Sequence, residues 1–262
     1  MSTVVVNGCP VHFIDNERED CKTSLLMIHG AGASLDMWPS EFYELPKTRM
    51  MALDLPGHGH SPPPGRRSIE QYATVVEAFI TTLNLPNPVL LGHSMGSAIA
   101  MTIVRRHVVT LAGLILFGAS ARMPVSPFIL EGSINSLNEV AMFISDKGIT
   151  DAPISRRDVV RRQILATGTM TTFGDFLACS RYDMRASLSQ IDVPTLVIAG
   201  RQDVLTPLKF SQSLATGLPK SDLVILENVG HYAMLERLEL VLASIEGFIN
   251  RPGSESAFVG SA

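Results

Sequence analysis

Gly92-His93-Ser94-Met95-Gly96 sets a serine between two glycines, directly after the apolar run Pro88–Leu91 and directly before a helix-like stretch, Ser97–His107. A serine hydroxyl attacks a carbonyl only with a base in hydrogen-bond reach and donors for the oxyanion that forms. A strand, a sharp turn and a helix supply the frame. The glycines permit the tight turn, which lifts Ser94 out beside the N–H groups of the helix start. Two histidines lie downstream, His107 and His231. His107 falls within the helix that the turn launches and points away from it. His231, in Asn228-Val229-Gly230-His231, follows the last apolar run and is the expected base.

The acid that orients the imidazole should also follow a strand, on the same side of the sheet. Asp203 does so, in Gly200-Arg201-Gln202-Asp203 after the apolar run Val193–Gly200. Asp192 and Asp222 precede strands and stand at the opposite end. Asp146, Asp151, Asp158, Asp175 and Asp183 lie in a stretch without strand character. For the oxyanion, the expected donors are the backbone N–H groups of Met95, next to the serine, and of Ala31, in the glycine-rich His29-Gly30-Ala31-Gly32-Ala33. His29 itself reads as a buried structural hydrogen-bonder.

Short apolar runs alternate with helical patterns, and that alternation predicts an α/β fold around a parallel sheet. Val4–Val6 and Val11–Ile14 flank Asn7-Gly8 and read as a hairpin. Buried strands are expected at Leu25–Ile28, Met50–Leu53, Val89–Leu91, Leu111–Phe117, Thr195–Ala199 and Leu223–Leu226. Helices are expected over Ile69–Leu83 and Met95–His107, from a Thr206-Pro207 cap toward Leu214, and over Ala233–Ile249. Residues 1–120 and 191–250 then form the core domain, 121–190 a helical cap above the strand ends, and 251–262 a flexible tail. Gly30, Trp38, Phe128, Met142 and Phe143 are candidates for the substrate pocket, with Met123, Ile129, Leu130, Met170 and Phe173 as further apolar cap residues. Ser155-Arg156-Arg157-Asp158 reads as a capping box, and its arginines, with Arg161 and Arg162, as a solvated face.

HGAGAS, DLPGHGHS (Asp54–Ser61), GHSMG, GRQDVLTP and GHYAMLE, in that order, resemble the α/β-hydrolase fold superfamily, and within it the small bacterial serine carboxylesterases and lipases with a helical cap. The resemblance implies one mostly parallel eight-stranded sheet with helices on both faces. It implies ester hydrolysis through an acyl-serine intermediate, with no metal or organic cofactor, and makes His58 and His60 scaffold residues. Relatives that carry aspartate at the elbow form alkyl-ester intermediates; serine implies acyl chemistry. A carbon–carbon bond hydrolase or lactonase with the same triad, a cofactor-free perhydrolase, and a ligand-binding protein on this scaffold stand as alternatives.

The 262 residues are 46% hydrophobic and 18% charged, enough for a large core and too apolar for a disordered chain. A formal net charge of −4 gives nothing for a polyanion to bind, so no nucleic-acid partner is expected. The three cysteines form no CxxC pair, and no apolar run is long enough for a membrane span. The expectation is a soluble cytoplasmic enzyme acting on a small-molecule ester, its oligomeric state open.

Overall fold

The computed structural model describes residues 2–21 and 23–251. The chain opens with a hairpin, β1 (Ser2–Val6) and β2 (Cys9–Asp15), paired antiparallel with Val6 opposite Cys9. Asn7 and Gly8 both take positive φ, 50° and 76°, the two-residue turn that Asn-Gly favours. Then follow β3 (Thr23–Ile28), β4 (Thr48–Leu53), α1 (Ile69–Thr82), β5 (Val89–His93), α2 (Met95–Arg106) and β6 (Gly113–Phe117). After four intervening α-helices and a 3-10 turn at Arg185–Gln190 come β7 (Thr195–Gly200), α7 (Leu208–Gly217), β8 (Ser221–Leu226), α8 (Ala233–Glu236) and α9 (Leu238–Ile249).

The eight strands form one sheet in the order β1-β2-β4-β3-β5-β6-β7-β8. β2 runs antiparallel to β1 and β4, and the remaining pairs are parallel. Side chains alternate across a strand, so each central strand feeds two cores. Leu26 and Ile28 of β3, Leu90 of β5 and Leu116 of β6 pack with α1 and α2. Leu25, Met27, Leu91 and Phe117 pack on the opposite face with α9. That double burial is why these strands are apolar throughout.

The loops that carry Ala31, Ser94, Asp203 and His231 leave the carboxyl ends of β3, β5, β7 and β8, so the topology gathers them at one rim of the sheet. Above that rim, between β6 and β7, lie α3 (Pro127–Asn135), α4 (Leu137–Gly148), α5 (Ile154–Thr167) and α6 (Thr169–Arg181). Among the described residues, no helix is long and apolar enough to cross a membrane.

Three local expectations need correction. Helix α7 starts after Pro207, and Thr206 caps nothing; its N–H and that of Leu205 go instead to Asp203 Oδ1, at 2.8 and 2.9 Å. Ser155 is no cap either, since α5 begins one residue earlier, with Pro153 at its N-cap. The closing helix breaks at Arg237, because Glu236 is drawn back to three backbone N–H groups: Gly230 at 2.9 Å, Thr150 at 2.8 Å and Asp151 at 3.0 Å. Apart from Arg251, the expected tail lies outside the described residues.

Candidate active site

Ser94 sits between β5 and α2 at φ 51°, ψ −114°, a region that side chains other than glycine rarely adopt. Two contacts force the turn. A Cβ on Gly96 would stand 2.1 Å from the Ile28 carbonyl oxygen, and one on Gly92 would stand 2.5 Å from Gly96 backbone. Only hydrogen fits at either position, so helix, elbow and the neighbouring strand close to backbone contact. The Ser94 N–H donates to the Phe117 carbonyl at 2.9 Å, which ties the elbow to β6.

His231 is buried in the loop between β8 and α8, and its Nδ1 lies 2.8 Å from Asp203 Oδ2. Asp203 Oδ1 is taken by the Leu205 and Thr206 N–H groups, so the carboxylate is bonded on both oxygens. Accepting from Nδ1–H leaves His231 Nε2 with its lone pair. The His231 backbone is fixed as well: its N–H donates to Gly148 O at 2.7 Å, and its carbonyl accepts from His93 Nε2 at 3.1 Å. His93 stacks 4.8 Å from the His231 ring, and burial, reinforced by that neighbour, holds its pKa well below the usual imidazole value. His93 is therefore neutral, a spacer and tether rather than an acid.

The N–H groups of Ala31 and Met95 have no acceptor among the described residues. Ala31's orientation is set one atom away. His29 Nδ1 donates to the Gly30 carbonyl at 2.8 Å, and Nε2 accepts from Leu55 N–H at 3.1 Å. In a planar trans peptide C=O and N–H point oppositely, so fixing Gly30 O also aims Ala31 N–H. Burial, with the nearby His58 charge, lowers the His29 pKa to about 4, which keeps that bonding pattern at neutral pH.

Ser94, His231 and Ala31 border one cavity of about 90 Å³. Its walls are Met123, Val125, Ile129, Ile144, Phe176, Leu205, Phe210 and Tyr232, with Arg122 as the one formally charged side chain. Of the apolar cap residues expected there, Met123 and Ile129 line it. The five pocket candidates do not. Gly30 lies behind, against His93 and the Ser94 Cβ. Trp38 is turned into the core against Phe42 and Phe117, at ring distances of 5.5 and 6.3 Å. Phe128 and Met142 face outward, and Phe143 stacks on Phe128 at 5.3 Å. Periodicity finds the apolar face of a cap helix without saying which turn looks down. Phe176, Leu205 and Phe210 were legible as apolar residues but carried no mark of their position.

His58 and His60 diverge: His58 Nε2 meets Asp175 at 2.7 Å, and the His60 ring packs on His12 at 4.8 Å. Arg156, Arg157, Arg161 and Arg162 do not border the cavity.

Known proteins match along this architecture. The sequence pattern of the alpha/beta hydrolase family fits residues 25–243. Pimeloyl-[acyl-carrier protein] methyl ester esterase of Neisseria meningitidis is 31% identical over 249 residues, covering 88% of this chain and 94% of its own. The AB hydrolase superfamily protein YisY of Bacillus subtilis is 30% identical over 246 residues, covering 86% and 91%. Among solved structures, an esterase from Exiguobacterium antarcticum superposes with a TM-score of 0.88 at 20% identity, over 95% of this chain and 99% of that one.

Proposed function

The chain belongs to the alpha/beta hydrolase family, and from that premise we propose that it is a serine carboxylesterase acting on small to medium esters through a Ser94–His231–Asp203 triad. The observation that carries the reading is one cavity bordered by Ser94 on its strained elbow and by His231, whose Nδ1 is held by Asp203. The esterase among its relatives adds support.

In this reading His231 Nε2 takes the Ser94 proton as Oγ attacks the ester carbonyl. The carbonyl electrons move to oxygen, where the Ala31 and Met95 N–H groups hold them. Collapse expels the alcohol, which takes its proton from the imidazolium, and leaves acyl-Ser94. Water then attacks, giving its proton to His231, and the acid departs as Oγ regains a proton. Asp203 keeps its negative charge throughout and steadies the imidazolium. Ser94 Oγ makes no hydrogen bond among the described residues; its bond to Nε2 closes in the substrate complex, where such contacts tighten. Residues 121–190 serve as the cap, supplying most of the apolar wall.

The test is turnover of p-nitrophenyl esters of graded acyl length by the protein and its Ser94→Ala variant. The protein should hydrolyse the shorter esters, and the variant should lose about 10⁶-fold in kcat. A variant that keeps more than trace activity ends the assignment.

A second reading has one observation in its favour. Arg122 borders the same cavity; it bridges Asp183 through the backbone and attracts that carboxylate, but among the described residues makes no side-chain ion pair within 4.0 Å. A guanidinium there suits a substrate that carries a carboxylate beyond the ester, a lactone acid, or the vinylogous diketoacid of a carbon–carbon bond hydrolase. Such substrates should then outpace neutral esters of equal size, and Arg122→Gln should erase the difference through KM.

A further inference from the structure

Asp175, on α6, is fully buried yet borders no part of the cavity. Its Oδ2 accepts from Gly32 N–H at 2.9 Å and faces His58 Nε2 at 2.7 Å, and its Oδ1 accepts from the Tyr72 hydroxyl at 2.6 Å. His58 Nδ1 faces the Pro56 carbonyl at 3.1 Å. With an acceptor on each ring nitrogen, His58 carries both protons and is an imidazolium. Asp175 therefore collects three donors from three places: the loop after β3, the loop after β4, and α1.

The Gly32 contact matters because of what precedes it. Gly32 follows Ala31 in a loop of small residues and takes φ 64°, where the backbone is otherwise free to turn. Its carbonyl is held too, by Thr167 Oγ1 at 3.1 Å from the end of α5. Both polar groups of Gly32 are thus gripped by the helices inserted between β6 and β7. Oxyanion donors are effective only if they are in place before charge develops, and a donor that wanders loses most of its advantage.

We propose that Asp175 is a positioning residue of the esterase reaction: by holding Gly32 N–H from α6, it fixes the loop that aims the Ala31 N–H at the oxyanion. The proposal rests on the reading of Ala31 as an oxyanion donor. It makes the inserted helices part of the chemical step as well as the pocket wall. It also explains why the residue is a carboxylate. Three donors need acceptors on both oxygens, whereas an asparagine would offer one oxygen and turn an NH₂ group against a donor.

The experiment compares an oxyester with the thionoester of the same acyl group and leaving group. Sulfur accepts hydrogen bonds poorly, so the kcat/KM ratio of the two substrates reports on the oxyanion donors and does not depend on how much enzyme is folded. Asp175→Asn should lower that ratio about tenfold, with KM for the oxyester changed by no more than about twofold. Tyr72→Phe, which removes the donor that holds Oδ1 and so lets the carboxylate turn off the Gly32 N–H, should lower it by about twofold and serves as the deciding variant if Asp175→Asn does not fold. A folded Asp175→Asn protein with the parent ratio overturns the proposal, as does an unchanged ratio in Tyr72→Phe where that variant decides. Failure of the unsubstituted protein to turn over either ester would instead overturn the esterase reading, and this inference with it.

Discussion

At Ser94 the backbone angles, φ 51° and ψ −114°, place a Cβ where glycine is the favoured residue. That strain belongs to the Ser94 backbone and does not depend on its hydroxyl. Ser94→Gly should therefore be more stable than Ser94→Ala by about 1–2 kcal/mol, measured by urea unfolding, although both lack the hydroxyl. Equal stabilities would mean that the elbow carries no such strain. Asp203→Asn keeps a similar shape but can set the wrong imidazole tautomer, and kcat should fall about 10⁴-fold with KM little changed. The three side chains were legible in sequence because each follows a strand end, so topology alone brings them to one rim. Asp175 was not. Its partners Gly32, His58 and Tyr72 are 143, 117 and 103 residues away, and no local pattern marks a carboxylate that far from its donors.

Elements were read well where a core dictates them and poorly where a single side chain does. The strands are apolar on both faces, and their positions follow from composition. The break at Arg237 follows from one carboxylate. Glu236 accepts from Gly230, Thr150 and Asp151, and so stitches the His231 loop to the segment after α4. In sequence, Ala233–Ile249 keeps a continuous apolar rhythm, and nothing announces that residue 236 will bond backward. Glu236→Ala should cost about 2–3 kcal/mol in urea unfolding, since buried N–H groups lose their acceptor. A loss under about 0.5 kcal/mol would mean that water replaces the carboxylate at little cost. The cavity lining departs from the expected residues for a related reason. Helical spacing gave the apolar face of α3 and α4, but the packing of four helices decides that Ile129 faces the cavity while Phe128 and Met142 face out.

Across the whole molecule, buried histidines set how stability varies with pH. His29 and His93 are buried neutral, their pKa values lowered chiefly by burial, His29 to about 4. An unfolded histidine titrates near its ordinary value, so the stability these two contribute is present above about pH 6.5 and is lost as pH falls toward 4. His58 behaves oppositely. Burial alone would lower it, but the charge and hydrogen bond of Asp175 outweigh burial and leave it raised. Its contribution is complete below about pH 6.5 and declines as pH rises through its elevated value. Stability should therefore peak near neutrality, and His58→Gln should flatten the alkaline side while leaving on the acid side what burial of His29 and His93 contributes, reduced by the lost His58 charge beside His29. Urea unfolding across pH 5–9 checks this; an alkaline limb that persists unchanged in His58→Gln would remove the buried ion pair from the account. The same pair joins the loop after β4 to α6, so its loss should loosen the inserted helices from the core as well as lower stability.

The most direct measurement is rapid quenching of the protein with a p-nitrophenyl ester, followed by peptide mass analysis. An acyl group is expected on the peptide that contains Ser94, formed as fast as p-nitrophenol is released and absent in Ser94→Ala. Release of p-nitrophenol with no acyl group on that peptide, or with the group on another residue such as the buried Cys179 at the cavity wall, would contradict it.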